Sequence, residues 1–147
     1  MDEMRKIMDL EAFIANHRIA RLATMTPNGR PHLVPVVYAY DGTRIFIALD
    51  QKPKRVSPTR LQRVRNIESN LHVSLLVDDY TEDWTQLAWV RVDGVAQILQ
   101  DGEVHVGAIN LLREKYPQYR LMKLEERPVI QITIQRTAHW EARSDGR

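Results

Sequence analysis

The 147-residue chain contains no cysteine and no apolar run close to the roughly 20 residues that span a bilayer. It can therefore hold no disulfide, no thiolate nucleophile and no cysteine-ligated zinc or iron–sulfur centre. Its first residues, MDEMRKIMDLEAF, mix charged and apolar side chains and have no signal-peptide core. We expect a soluble, cytoplasmic protein with one domain over residues 1–147 and a disordered tail from about residue 142.

The sequence also lacks the short motifs of several enzyme classes. No glycine-rich phosphate loop of the Rossmann or Walker kind occurs. The five histidines show no metal-ligand spacing, so no metal site is predicted. Ser74 has no recognisable base partner, and the acidic residues 78–83 resemble a solvated loop more than an acid/base pair. We therefore assign no catalytic side chain.

Positive charge is concentrated in one segment. The formal net charge is only +2, yet residues 51–65 contain six bases and no acid, which leaves the rest of the chain net acidic. A local basic cluster on an acidic protein indicates a bound anion more than a polyanion-binding surface. A solvated helix face explains the composition equally well. The six bases are Lys52, Lys54, Arg55, Arg60, Arg63 and Arg65.

Apolar periodicity and turn signals predict a mainly β (α+β) domain. Long strands joined by short turns, without sustained strand–helix–strand alternation, favour an antiparallel six-stranded β-barrel with peripheral helices. Pro35 predicts a bulge or a sheet edge, and Gly94 predicts a bulge. The predicted helices cover residues 2–16, 58–69 (capped by Ser57) and 101–116, the predicted strands cover residues 18–25, 31–40, 43–49, 71–80, 86–99 and 129–134, and a tail begins at residue 138.

The basic segment is the best candidate for a phosphate site. Lysine holds phosphate as a point charge, arginine holds it as a planar fork, and a helix N-terminus adds backbone N–H donors. Arg60 and Arg63 lie three residues apart on the predicted helix and can converge on one anion. Lys52, Lys54 and Arg55 could then meet a second anionic group.

Trp89 and Arg91 share one face of the fifth predicted strand. An indole beside a guanidinium suits a planar heteroaromatic ring. A simple role for Trp89 in the core or in a dimer contact explains the residue at least as well.

Several segments follow one another in a distinctive order: RIARLATMTPNGRPHLVPVVYAYDG, LDQKPKR, RLQRVRNIESN, VSLLVDDYTEDW, WVRVDGVA and LLREKYPQYR. Together they resemble the pyridoxamine 5′-phosphate oxidase-like family of FMN-binding split β-barrels, especially its branch presumed to use the deazaflavin F420. The resemblance implies a homodimer with two cofactor sites at the subunit interface. It also implies that Arg63 binds the cofactor phosphate, that Lys52, Lys54 and Arg55 meet phosphate or the oligoglutamate tail of F420, and that Pro35, Val36 and Ala48 lie against the ring system.

Two departures argue against pyridoxine metabolism. Trp89 replaces a polar flavin-contacting residue of true pyridoxamine phosphate oxidases, and their C-terminal arginine-rich substrate motif is missing. We therefore expect an F420-dependent oxidoreductase that passes hydride between cofactor and a small organic acceptor. An FMN-binding oxidoreductase of the same fold is the first alternative. A non-catalytic flavin- or haem-binding barrel is the second, with His139 or His17 as the candidate axial ligands for haem. Neither nucleic acid nor membrane is an expected partner.

Overall fold

The computed structural model describes residues 9–50 and 61–142. This part of the chain forms three α-helices, seven β-strands and two 3₁₀ turns, at Trp84–Gln86 and Pro117–Leu121. No helix within it is long and apolar enough to cross a membrane. The helices are α1 (Leu10–Asn16), α2 (Gln62–Ser69) and α3 (Glu103–Lys115), and the strands are β1 (Ala20–Met25), β2 (Pro31–Val36), β3 (Ala39–Tyr40), β4 (Arg44–Ala48), β5 (His72–Asp79), β6 (Ala88–Leu99) and β7 (Val129–Glu141).

The strands form one antiparallel sheet in the order β2-β1-β5-β6-β7-β4-β3. The strand predicted over residues 31–40 is divided into β2 and β3, which raises the count from six to seven. Because β2 leads directly into β3 and these strands lie at opposite ends of the order, the sheet is strongly curled. The predicted class, a mainly β split barrel with peripheral helices, is confirmed.

The C-terminal strand is longer than predicted, and the expectation of a tail from residue 138 was wrong. β7 continues to Glu141, which pairs with Ala88, and Trp140 pairs with Trp89. The backbone groups of the twelve-residue β6 give this polar stretch a partner that the side-chain pattern does not reveal.

Both irregular positions in the sheet agree with prediction. The β6–β7 register shifts between Asp93 and Gly94, which confirms the bulge. A Cβ atom at Gly94 would lie 2.4 Å from the carbonyl oxygen of Thr133, so only glycine fits without a shift of the backbone. Pro35 lies in β2, an end strand of the sheet order, as expected for a residue that cannot donate a ladder hydrogen bond.

The described residues include the N-terminal ends of only some of the predicted helices. Helix α1 begins at Leu10, where the Asp9 side chain accepts a hydrogen bond from the Ala12 amide at 3.1 Å. Residues 1–8, the predicted helix start at Pro58 and its cap Ser57 lie outside the described residues.

Two apolar clusters pack against the sheet. The first fills the inside of the curl and includes Val64 and Ile67 of α2. The second lies between α3 and the outer face of β3, β4 and the start of β7. The outer face of β2, β1, β5 and β6, here called the open face, carries exposed apolar side chains, among them Leu33, which is 66% exposed.

Candidate functional site

The first turn of α2 places Arg63 beside two residues that are distant in sequence. Asp50 follows β4, and Tyr119 lies in the 3₁₀ turn after α3; the Tyr119 hydroxyl donates a hydrogen bond to the Asp50 carboxylate. Burial lowers the pKa of Arg63, although the charge of Asp50 and the Tyr119 hydroxyl act in the opposite direction. The Nε atom of Arg63 is buried and has no hydrogen-bond partner among the described residues. This N–H donor therefore lacks an acceptor within the described part of the chain.

The described residues flank part of the basic segment. Residues 51–60 lie in sequence between Asp50 and Leu61, the N-cap of α2, which makes no side-chain capping bond. The candidate residues Lys52, Lys54, Arg55 and Arg60 themselves lie outside the described residues, so their roles stay predictions.

A buried polar link holds α2 in position. Asn66 is completely buried, its Nδ2 donates to Thr24 Oγ1 of β1 at 2.9 Å, and its Oδ1 accepts from Gln62 Nε2 at 2.6 Å. Sequence analysis missed this role, although an asparagine between the core residues Val64 and Ile67 is a usable signal. Asn66 thus fixes the helix that carries Arg63.

The three residues expected against a cofactor ring have different surroundings. Pro35 is exposed, whereas Val36 is 7% exposed and packs inside the curl. Ala48 is 4% exposed and packs in the cluster beneath α3. Their contact with a ring stays a prediction.

Trp89 and Arg91 share the open face of β6, as predicted, but their contacts differ from those of Arg63. Trp89 lies opposite Trp140 in the β6–β7 ladder. Arg91 donates to both carboxylate oxygens of Asp93, at 3.1 and 3.3 Å. The structure therefore describes two separate candidate regions, one at Arg63 and one on the open face.

The two histidines considered as haem ligands are placed differently. His17 Nδ1 lies 2.7 Å from the Phe13 carbonyl oxygen, and its Nε2 lies 2.5 Å from Asp79 Oδ1. Both ring nitrogens are thus engaged, and iron would have to displace one of these bonds. His139 is exposed on β7.

A family model described as pyridoxamine 5′-phosphate oxidase matches residues 8–141. Because this match covers most of the chain, the protein belongs to the pyridoxamine 5′-phosphate oxidase family. The resemblance stated from the sequence segments is thereby confirmed. No match was found among curated proteins.

Solved structures share the fold at low sequence identity. A conserved hypothetical protein from Mycobacterium tuberculosis has a TM-score of 0.74 and 24% identity, over 92% of this chain and 86% of that chain. The haem storage protein HutZ from Vibrio cholerae has a TM-score of 0.69 and 16% identity, over 94% and 95%. A structure described as an F420 reductase has a TM-score of 0.63 and 20% identity, over 90% and 98%. At these identities the comparison establishes the fold alone.

Proposed function

We propose that this protein is an F420-dependent oxidoreductase that transfers hydride between the bound deazaflavin and a small organic acceptor. The observation that carries the proposal is Arg63, whose buried Nε has no partner among the described residues. It lies beside Asp50, after which a segment with four further bases begins in the sequence. The family membership and the similarity in fold to an F420 reductase support the same conclusion.

The residues around Arg63 fit a phosphodiester. A guanidinium presents five N–H donors, and a phosphate oxygen is an acceptor that satisfies a buried Nε well. Asp50 already accepts a hydrogen bond from Tyr119, and no ion pair joins Asp50 to Arg63 within the described residues. Lys52, Lys54, Arg55 and Arg60 supply more positive charge than one phosphate of FMN requires. The surplus favours a cofactor that also carries carboxylates, as F420 does.

The chain's own contribution is binding and orientation. When bound, reduced F420 supplies the hydride that the acceptor receives. Arg63 would hold the phosphodiester, and Asn66 would keep Arg63 in place through its bond to Thr24. Precise positioning accounts for a large part of catalysis when the cofactor carries the reactive group.

We further propose a homodimer, in which a second copy covers part of the open face. Leu33 and Met25 are 66% and 38% exposed there, and soluble monomers seldom leave large apolar patches in water. Light scattering at micromolar concentration should give twice the chain mass; a monomer mass would contradict this.

The phosphate site is tested by Arg63→Ala, with Arg65→Ala as the matched control. Arg65 lies on the same helix but is exposed and donates to Gln62 Oε1 at 2.6 Å. Loss of one charge-assisted contact costs about 1.5–3 kcal/mol, so F420 affinity should fall about tenfold to a hundredfold in Arg63→Ala. Arg65→Ala should bind F420 like the wild type. Equal affinities of all three proteins would place the phosphate elsewhere.

The choice between F420 and FMN is tested with a tail-less F420 fragment. F420 should bind more tightly than the fragment at low salt, and the difference should shrink as salt rises, because exposed charges are screened within about 8 Å at physiological ionic strength. Neutralising Lys52, Lys54 and Arg55 together should remove the difference and leave fragment binding nearly unchanged. Equal affinity at low salt, or tight FMN binding, would favour an FMN-dependent oxidoreductase.

A further inference from the structure

An acid lies beside the arginine that we propose as the phosphate ligand. Asp50 comes two residues after the end of β4, and its charge acts on the guanidinium of Arg63. Burial lowers the pKa of Arg63, and the Asp50 carboxylate opposes that effect. The same carboxylate repels any phosphate bound at Arg63, because both groups are negative. Asp50 therefore weakens binding in proportion to the charge that the phosphate carries.

The structure holds Asp50 in place. The preceding residue, Leu49, is completely buried, and its amide donates to the Pro128 carbonyl oxygen at 3.0 Å. The Tyr119 hydroxyl donates a hydrogen bond to the Asp50 carboxylate, and Tyr119 is itself buried. Because burial and this hydrogen bond raise the pKa of Tyr119, the phenol keeps its proton and remains a donor. Asp50 is thus a positioned carboxylate and differs from a mobile surface acid.

This carboxylate does not occupy the donor that Arg63 offers. The buried Nε of Arg63 has no acceptor within residues 9–50 and 61–142, and Asp50 is not joined to it by an ion pair there. A ligand bound at the guanidinium therefore meets a hydrogen-bond donor in Arg63 and a repulsive charge in Asp50.

Phosphate esters differ in the charge that they bring to such a site. A phosphomonoester, as in FMN, carries about −1.5 to −2 charges at pH 7, because its second pKa is about 6. A phosphodiester, as in F420, has no second acidic proton and carries a single charge. Coulomb's law with an effective dielectric constant of about 20 makes one additional charge, roughly 10 Å from a carboxylate, unfavourable by about tenfold in affinity.

We infer that Asp50 is a specificity-determining residue, which disfavours a phosphomonoester relative to a phosphodiester at Arg63. The inference rests on the proposed F420 site and names a residue that discriminates between ligands within it. Lys52, Lys54 and Arg55 are proposed to select F420 by attracting its carboxylates. Asp50 acts in the opposite way, by repelling the more highly charged competitor.

Two deazaflavin probes that differ only at the phosphate test the inference. They are the 5′-phosphate of the F420 deazaflavin nucleoside and the methyl diester of that phosphate. Fluorescence titration gives both dissociation constants. Asp50→Asn removes the charge and keeps an oxygen that can accept from Tyr119. The substitution should strengthen binding of the monoester about tenfold more than binding of the diester. Asp50→Ser, a second neutral replacement, should give the same change and serves if Asp50→Asn does not fold.

Glu68→Gln is the matched control, because it removes the same charge from α2 itself. Glu68 is exposed and follows Arg63 by five residues, so it projects from a different side of the helix. The control should leave the ratio of the two dissociation constants at the wild-type value.

The inference is overturned if the ratio is the same in the wild type and the Asp50 variants, or if Glu68→Gln changes it equally. The F420 site would survive either result, since both probes would still bind. If the wild type binds neither F420 nor the probes, the proposed function fails, and the inference fails with it.

Discussion

Replacement of Lys115 by methionine should stabilise the protein at neutral pH. Lys115 is the last residue of α3, and its Nζ is buried without a hydrogen-bond partner among the described residues. The ammonium lies 3.9 Å from the centre of the Tyr38 ring and 5.4 Å from that of Tyr116. Burial, and to a smaller extent the charge of Arg18, lower its pKa from 10.5 to about 8.

The magnitude follows from this pKa. A shift from 10.5 to about 8 corresponds to at most about 3 kcal/mol. Because Lys115 is only partly buried, solvent screening reduces that figure to about 1 kcal/mol. Methionine keeps a similar length and packs well against aromatic rings. We therefore expect Lys115→Met to raise the free energy of unfolding by about 1 kcal/mol at pH 7.

The stabilisation by Lys115→Met should decrease as the pH rises. Between pH 8 and 10.5 the unfolded wild type binds more protons at this position than the folded protein, so its stability rises with pH across that window. The advantage of Lys115→Met should therefore be complete below pH 8 and nearly gone at pH 10.5. Urea unfolding at both pH values measures it, with exposed Lys123→Met as a control that should change little. The reasoning would be refuted if the variant were less stable than the wild type at pH 7. It would also be refuted if the difference in free energy of unfolding did not change with pH.

Two further substitutions, one of them with a matched control, test the packing of the scaffold. Asn66→Leu should lower the free energy of unfolding by about 1–3 kcal/mol in urea, since Gln62 and Thr24 lose their buried partner; an unchanged midpoint would contradict a structural role. Gly94→Ala should cost about 1–3 kcal/mol because its Cβ meets a backbone oxygen, whereas Gly107→Ala, in open space on α3, should stabilise by about 0.5–1 kcal/mol. Equal effects at the two glycines would show that packing at Gly94 is unimportant.

Local signals predicted most of the fold. The turn at residues 26–29 separates β1 from β2, and the Asp41–Gly42 turn separates β3 from β4. Glycine adopts positive φ in both, 86° at Gly29 and 102° at Gly42. The end of β7 could not be found in this way. Residues 136–141 are mostly exposed, so no apolar alternation marks them, and their strand conformation depends on pairing with β6.

The site was less predictable than the fold. The acid-free basic segment is visible in the sequence, and the family resemblance selects Arg63 within it as the predicted phosphate ligand. Asp50 and Tyr119 are 69 residues apart, and no short-range pattern relates them. Asp93 likewise accepts hydrogen bonds from Ser74 on β5, Arg91 on β6 and Arg136 on β7. The contact with Arg136 could be foreseen only from the order of the strands in the sheet. A single sequence does not show which distant polar side chains pair with each other.

The Tyr119–Asp50 contact lies beside the half-buried Arg63, whose Nε has no partner among the described residues. A carboxylate near a guanidinium normally forms an ion pair with it, and such a pair would compete with phosphate. Here the Asp50 oxygen accepts the Tyr119 hydroxyl instead, and burial together with this hydrogen bond raises the pKa of Tyr119, so the phenol keeps its proton. Asp50 still attracts Arg63 electrostatically, which opposes the effect of burial on its pKa, but it leaves the buried Nε without a partner among the described residues. Asn66, about one turn further along α2, fixes the helix through its bond to Thr24 and uses none of the donors of Arg63.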